Sequence, residues 1–452
     1  AVCIVHALAM DNPSWLPSTP LVVEALVTAW RALNEGMDAG SGPHAALEET
    51  IPITHMHQAR YIIECFIQFC SHGVKVPEPH RPASHSLLML KSSRDANKGA
   101  MSEPYVAAQS PPPATTPAAV DEGSMFGPGL SPTDDHLRVQ VLFAMLTIFT
   151  SRTVMDYSFL KDFLLTTVAR HYPLAAKRAL LTTFLDDFSK SSVADARKVV
   201  MLEHLIIPML TISFETGQAD LLDADIMDSV IKIFAQPQPA HAASDELCIQ
   251  MLQLATLLVI NCSSLVVNNR RNVIRFAWSH LRSVDFTARF CGYVLVCRFI
   301  EQYDTPTKVI LQVYVSLLKA HQPEARLLVK QALDILTPAL PHRLPAGDHR
   351  YPPWVKWTKK IVVEEGHDTF QLIHIWFLVV RHADIFYATR AQFVPQMVNS
   401  LTRIGIPKSA SFDQRKLAVS LAEIIVEWEH RAARELEEAE TAAAAAAEAA
   451  AA

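Results

Sequence analysis

The sequence predicts an all-α chain, a HEAT-like α-solenoid of antiparallel helix pairs, on three observations. Thr305 to Leu340, TPTKVILQVYVSLLKAHQPEARLLVKQALDILTPAL, holds a complete two-helix unit with a start signal for each helix. Apolar residues recur at spacings of three and four in block after block, with no strand-turn-strand series between them. The 452 residues, 50% hydrophobic and 19% charged, suffice for a large core or several domains and argue against one compact ball.

In the hairpin, Thr305 before Pro306 and Gln322 before Pro323 set each proline at the expected first helical position, where its missing N–H costs nothing. Ile310, Val313, Tyr314, Leu317 and Leu318 line one face of the first helix, and Leu328, Ala332, Ile335 and Leu336 line one face of the second. Only His321 and Gln322 separate them, so the second helix must fold back antiparallel on the first. One pair cannot bury its stripes alone; flanking pairs make a stacked solenoid.

Taken in order, AVCIVHALAM carries no initiator methionine, basic leader or cleavage pattern and reads as an internal fragment rather than a signal peptide. Residues 1–72 form an N-terminal helical segment, with Leu26, Trp30 and Leu33 at helical spacing and a second helix over Tyr61 to Phe69. Residues 73–132 read as a disordered proline- and serine-rich insertion or linker, because their composition resists helix propagation and core burial; rapid amide exchange is expected there. PPPATTP within it reads as a spacer, with an extended recognition ligand as the alternative. Helical repeats are expected over 133–234, where Pro173 starts a helix and Pro208 introduces a kink or a new turn.

A linker is expected over 235–246 and continuous HEAT-like repeats over 247–430. Leu247 to Val267 is uncharged, but its glutamines, Asn261, Cys262 and serines favour a buried helix over a membrane span. The last strong helix opens with Ser411 and Gln414 at capping-box spacing and places Leu417, Leu421, Ile424, Ile425 and Trp428 on one face. Residues 431–452 read as an alanine- and glutamate-rich helical extension, or as a tail in which alanines stand for unassigned residues.

The net charge of −6 leaves no polybasic footprint, and no membrane or direct nucleic-acid partner is expected. Seven scattered cysteines without CxxC spacing fit a reduced, intracellular chain with buried thiols. No glycine-rich phosphate loop, zinc-protease or nucleophile-elbow motif is present. Glu364, Glu365, His367 and His374 are the best metal candidates, but Gly366 and the Asp368-Thr369 start signal interrupt the helix that would align them. His342, His349 and His382 have no evident partner set, Cys291 and Cys297 sit on an apolar helical face, and adjacent Asp186 and Asp187 point apart. No catalytic residue, cofactor or metal is expected.

Arg270, Arg271 and Arg275, with Phe276 and Trp278 expected to pack, form the best basic patch; Lys356, Lys359 and Lys360 form a second, with Trp354 and Trp357 as core or interhelix anchors. Both patches are read as solvated or partner-facing.

NVIRFAWSHLRSVD, the hairpin with PHRL after it, RYPPWVKWTKKIVVEEGH, QFVPQMVNSLTRIG and FDQRKLAVSLAEIIVEWE resemble the TRRAP and fungal Tra family of HEAT-repeat scaffolds, from about Ser151 to Glu429. That resemblance implies a phosphatidylinositol-3-kinase-related pseudokinase, nuclear, whose helical repeats precede FAT, kinase-like and FATC regions. It implies a transcription coactivator that connects activators to histone acetyltransferase complex subunits of the SAGA and NuA classes, with other segments of the same scaffold as partners. No kinase glycine loop, HRD or DFG segment occurs here, so the expected role is scaffold. The alternatives are the helical region of an active kinase of that superfamily and a helical transport adaptor.

Overall fold

The computed structural model describes residues 1–38, 53–74, 125, 132–150, 156–235, 244–347 and 350–451, and among them every regular element is helical. The proposed insertion over 73–132 and the linker over 235–246 fall mostly outside the described residues, as does His349. The chain divides into two compact units, Ala1–Ile233 and Phe234–Ala452.

The first unit contains α1 (Val2–Asp11), α2 (Pro20–Asp38), α3 (Ile53–Ser71), α4 (Pro132–Leu146), α5 (Ser158–Phe163), α6 (Leu174–Ser189), α7 (Asp195–Met201), α8 (Ile207–Glu215) and α9 (Ala224–Ala235), the last crossing the division. α3 packs against α1, α2 and α4, so helices separated by residues 72–131 share one core. Trp30 is buried, and its indole N–H donates to the Ala144 carbonyl at 2.8 Å and to Thr147 Oγ1 at 3.1 Å. Arg138 lies over the Phe69 ring at 5.3 Å and donates to the His72 carbonyl at 2.8 Å, a cation where the C-terminus of α3 presents negative charge. Buried Tyr172 donates to the Cys70 carbonyl at 3.0 Å.

At Pro208, where a kink or a new turn was expected, the helix continues through a change of winding. Proline cannot donate to the carbonyl four residues back, and α7 widens into a π-helical stretch, Leu202–Ile206, before α8 resumes. A second π stretch, Leu164–Ala169, follows α5 and packs against the first. Lys177 is buried between α6 and α8, its Nζ donating to Ser213 Oγ at 3.1 Å and Gln218 Oε1 at 2.8 Å; burial lowers its pKa.

The second unit contains α10 (Asp245–Asn261), α11 (Ser263–Val266), α12 (Arg270–His280), α13 (Phe286–Gln302), α14 (Thr307–Leu318), α15 (Arg326–Arg343), α16 (Pro353–Glu364), α17 (Thr369–Arg381), α18 (Ala383–Tyr387), α19 (Val394–Gly405) and α20 (Phe412–Ala451). α10, α13, α15, α17 and α20 begin at residues 245, 286, 326, 369 and 412, a period of 40 to 43, and each packs on the next. α12, α14, α16 and α19 pair with this row, giving the packed antiparallel helix pairs of a solenoid.

Several local expectations shift. Pro306 is the N-cap of α14, not its first helical residue, because its ψ of 133° leaves it extended. Pro323 does open its helix, through a 3₁₀ turn. Leu328 is half-buried, and Val329, Ala332, Leu333, Leu336 and Leu340 carry the inward stripe of α15 with Ile335. The uncharged stretch 247–267 is not one helix: it breaks at Cys262, where the helix axis turns by 109°. No single helix among the described residues is long and apolar enough to cross a membrane. The capping box forms as expected, Ser411 N–H to Gln414 Oε1 at 2.7 Å and Gln414 N–H to Ser411 Oγ at 3.3 Å.

Candidate functional site

Two basic surfaces were expected in the second unit, and their residues lie on α12 and α16, two of the helices that pair with the row. α12 packs on α13 through Val273 and Ala277, and a Cβ on Gly292 would come within 3.3 Å of the Ala277 carbonyl; glycine lets the two backbones approach. With that face fixed, Arg270, Arg271 and Arg275 are exposed, and no carboxylate among the described residues pairs with them. Phe276 packs, stacking on Phe234 at 5.2 Å. Trp278 does not: it stays 38% exposed, because it lies one helical turn beyond Arg275 on the outer face.

Sequence reasoning missed the continuation of this surface. Arg282 is exposed in the turn after α12, Val284 is 91% exposed, and Phe286 is 39% exposed beneath the Arg289 guanidinium at 5.1 Å. The available signal was Arg282 seven residues after Arg275, followed by apolar residues in a turn that a polar loop would not need.

The lysines of α16 border a groove of about 330 Å³ with Tyr351, Val355, Val363, Glu364 and Gln392. Two are already engaged. Lys359 donates to Gln392 Oε1 at 2.9 Å; Lys360 lies 4.8 Å from the Trp357 ring centre and 3.9 Å from Glu364. Lys356 is exposed, Trp354 is buried, and Trp357 is only half-buried.

The metal candidates are not brought together. Gly366 closes the turn between α16 and α17 so tightly that a Cβ would lie 2.1 Å from the Val362 carbonyl. Glu365 pairs with Lys319, His367 is exposed, and half-buried His374 donates through Nε2–H to the Leu317 carbonyl at 3.1 Å. Burial pushes His374 down to about 4, which keeps the ring neutral. Among the described residues, no three His, Cys, Asp or Glu side chains form a metal-binding group. His382 and Arg381 instead share Asp334 Oδ1, at 2.9 and 2.7 Å, tying α17 to α15. Asp187 serves Lys190 at 2.8 Å, while Asp186 faces solvent. Cys291 and Cys297 are buried, and desolvation raises the Cys291 thiol to about 12 and Cys297 higher still, so neither is a ready nucleophile.

The family model described as the Tra1 HEAT repeat ring region matches residues 1–452. The chain is 33% identical over 436 residues to the Probable transcription-associated protein 1 of Dictyostelium discoideum, covering 94% of this chain and 8% of that protein. It is 36% identical over 311 residues to the Transformation/transcription domain-associated protein of Homo sapiens, covering 64% of this chain and 8% of the relative. It is 29% identical over 276 residues to the SAGA complex/NuA4 acetyltransferase complex subunit Tra1 of Schizosaccharomyces pombe, covering 59% of this chain and 7% of the relative. This chain thus spans less than a tenth of the length of these relatives. With helix pairs repeating every 40 to 43 residues through the second unit and a family match across both, the chain belongs to the Tra1 HEAT repeat ring family.

Proposed function

We propose that this chain is a noncatalytic section of a nuclear transcription-coactivator scaffold that links activators to histone acetyltransferase complex subunits. The carrying observation is the family match over residues 1–452, and the S. pombe relative bears the name of an acetyltransferase complex subunit. Helix pairs that each rely on their neighbours for packing suit such work, because every added pair lengthens the surface without requiring a new core. We place partner contacts at Arg270, Arg271 and Arg275 and at Lys356, Lys359 and Lys360. The outward stripe of α20, Val419, Ala422, Val426 and Ala433 along a groove of about 1000 Å³, suits another helical segment of the same scaffold.

Native purification of the full-length protein, with partner identification and cross-link mapping onto residues 1–452, tests this. The expected result is recovery with histone acetyltransferase subunits and cross-links on this region. A partner set made up only of trafficking factors, together with intact nucleotide and metal motifs in the kinase-like region, overturns it.

A further inference from the structure

Six serine or threonine residues stand directly before a proline: Thr19, Ser110, Thr116, Ser131, Thr305 and Thr337. Thr305 alone has a basic residue at the third place after it, in Thr305-Pro306-Thr307-Lys308. In the other five that place holds Val22, Pro113, Ala119, Asp134 or Leu340. Ser110, Thr116 and Ser131 lie outside the described residues.

The structure separates the remaining three. Thr337 is fully buried within α15, closed to any enzyme. Thr19 is tied into a turn, its Oγ1–H donating to the Trp15 carbonyl at 2.9 Å. Thr305 lies in the connection from α13 to α14, where the chain runs extended: Tyr303 has φ −124° and ψ 151°, and Pro306 has φ −56° and ψ 133°. Asp304, Pro306, Thr307 and Lys308 around it are exposed. Thr305 itself is half-buried, and its Oγ1–H donates to the Tyr303 carbonyl at 3.2 Å, a neutral bond two residues away that opens without unpacking a helix.

Each residue of the motif has a physical use. Pro306 has no N–H to strand in an apolar notch, and it disfavours helical geometry at the residue before it, which keeps the acceptor extended. Lys308 pairs with no carboxylate among the described residues, and the nearby Asp304 is already held by Arg343 at 2.5 Å. We propose that Thr305 is a phosphorylation site, modified by a proline-directed protein kinase that reads Pro306 and Lys308. Thr305 Oγ1 bonds to the γ-phosphorus of ATP as the bond to ADP breaks, and the hydroxyl proton passes to a carboxylate of the kinase. The phosphate then stands at the positive end of α14, beside Lys308, and strengthens the start of that helix. This site does not depend on the scaffold role proposed above.

The test treats the full-length protein with a cyclin-dependent kinase and ATP labelled in its γ-phosphate, then maps the label by mass spectrometry. Label is expected on Thr305 and not on Thr337. Its rate should fall about tenfold with Pro306→Ala and about fivefold with Lys308→Glu. Thr305→Val should abolish it, whereas Thr305→Ser should keep it on the new hydroxyl. Lys308→Glu changes an exposed side chain and Thr305→Ser keeps the hydroxyl, so neither disturbs the core, and exchange protection of α14 and α15 is followed in every variant. The labelled protein should also exchange the amides in the first turn of α14 more slowly than the unlabelled one. An unlabelled Thr305 in folded protein, or a rate unchanged by both Pro306→Ala and Lys308→Glu, overturns the site. Label on Thr305 with unchanged exchange in α14 overturns the phosphate's part in holding that helix.

Discussion

In the second unit, side chains cap the helices from two or three residues away, as Ser244 does for Leu247, Asp285 for Ala288, Asp368 for Phe370 and Ser411 for Gln414. The first unit has such local caps too, Asp223 for Ile226 and Asp156 for Ser158, but adds bonds that reach from Arg138 to His72, Tyr172 to Cys70 and Trp30 to Ala144, spans of 66, 102 and 114 residues. Long ties in the second unit step about one repeat along: Tyr314 to Thr358, Gln371 to the Leu318 carbonyl and His374 to the Leu317 carbonyl span 44, 53 and 57 residues. A periodic stack therefore keeps its cross-links near the repeat length. The first unit closes its core around a long stretch of sequence, and buried polar tips decide which helices meet.

The strongest way to break this comparison is Leu318→Asp. Leu318 is fully buried in α14, so the new carboxylate has no partner, and a cost of about 4 kcal/mol or more is expected. Hydrogen exchange should rise in α14, α15 and α16, while α2, α3 and α4 keep their protection. Unchanged protection in α14 would reject the packing; spread into the first unit would reject the division.

Trp30→Ala is the counterpart for the first unit. Loss of the buried indole is expected to cost about 3 to 5 kcal/mol and to loosen α2 and α4 together, although they lie far apart in sequence. Loosening limited to α2 would show that the bond to Ala144 does not hold the two halves.

The His374 ring sharpens the comparison through pH. Its ordinary value is 6.5 and its folded value about 4, so the unfolded chain binds the extra proton first. The neutral, half-buried ring contributes stability above pH 6.5, and this is lost as pH falls towards 4, up to about 3 kcal/mol by linkage. Unfolding of the second unit should become less acid-sensitive with His374→Gln; an identical pH profile for the two proteins would refute the assignment. The smallest effect is expected from Ser411→Ala. It removes half of an exposed capping box and should cost about 1 kcal/mol, seen as faster exchange in the first turn of α20 alone.

Much of the second unit could be read from its residues. Ile310, Val313, Tyr314, Leu317 and Leu318 are all buried, and Ser411 with Gln414 forms the expected box, because period and cap are both local codes. Misreadings occurred where a neighbour chose between similar options. Leu328 and Val329 both fit an apolar stripe, and the approach of the adjoining helix selected Val329. Trp278 has the chemistry of a core residue, yet it stays 38% exposed. The candidate surface was half legible: Arg270, Arg271 and Arg275 are visible in sequence, while Val284 and Phe286 join them only after the turn into α13 is built.

By itself, the sequence determined the helices, their 3.6-residue stripes, their start signals and, through its long phrases after Asn268, the family. Those features are set by backbone sterics and by side chains a few residues apart. Tertiary structure alone decided that Trp30 reaches Ala144, that Arg138 seats on α3, that His374 is half-buried while His367 is exposed, and that no carboxylate among the described residues pairs with the α12 arginines. Each depends on which distant helix arrives to remove water and supply a partner, and that choice is a property of the packed whole.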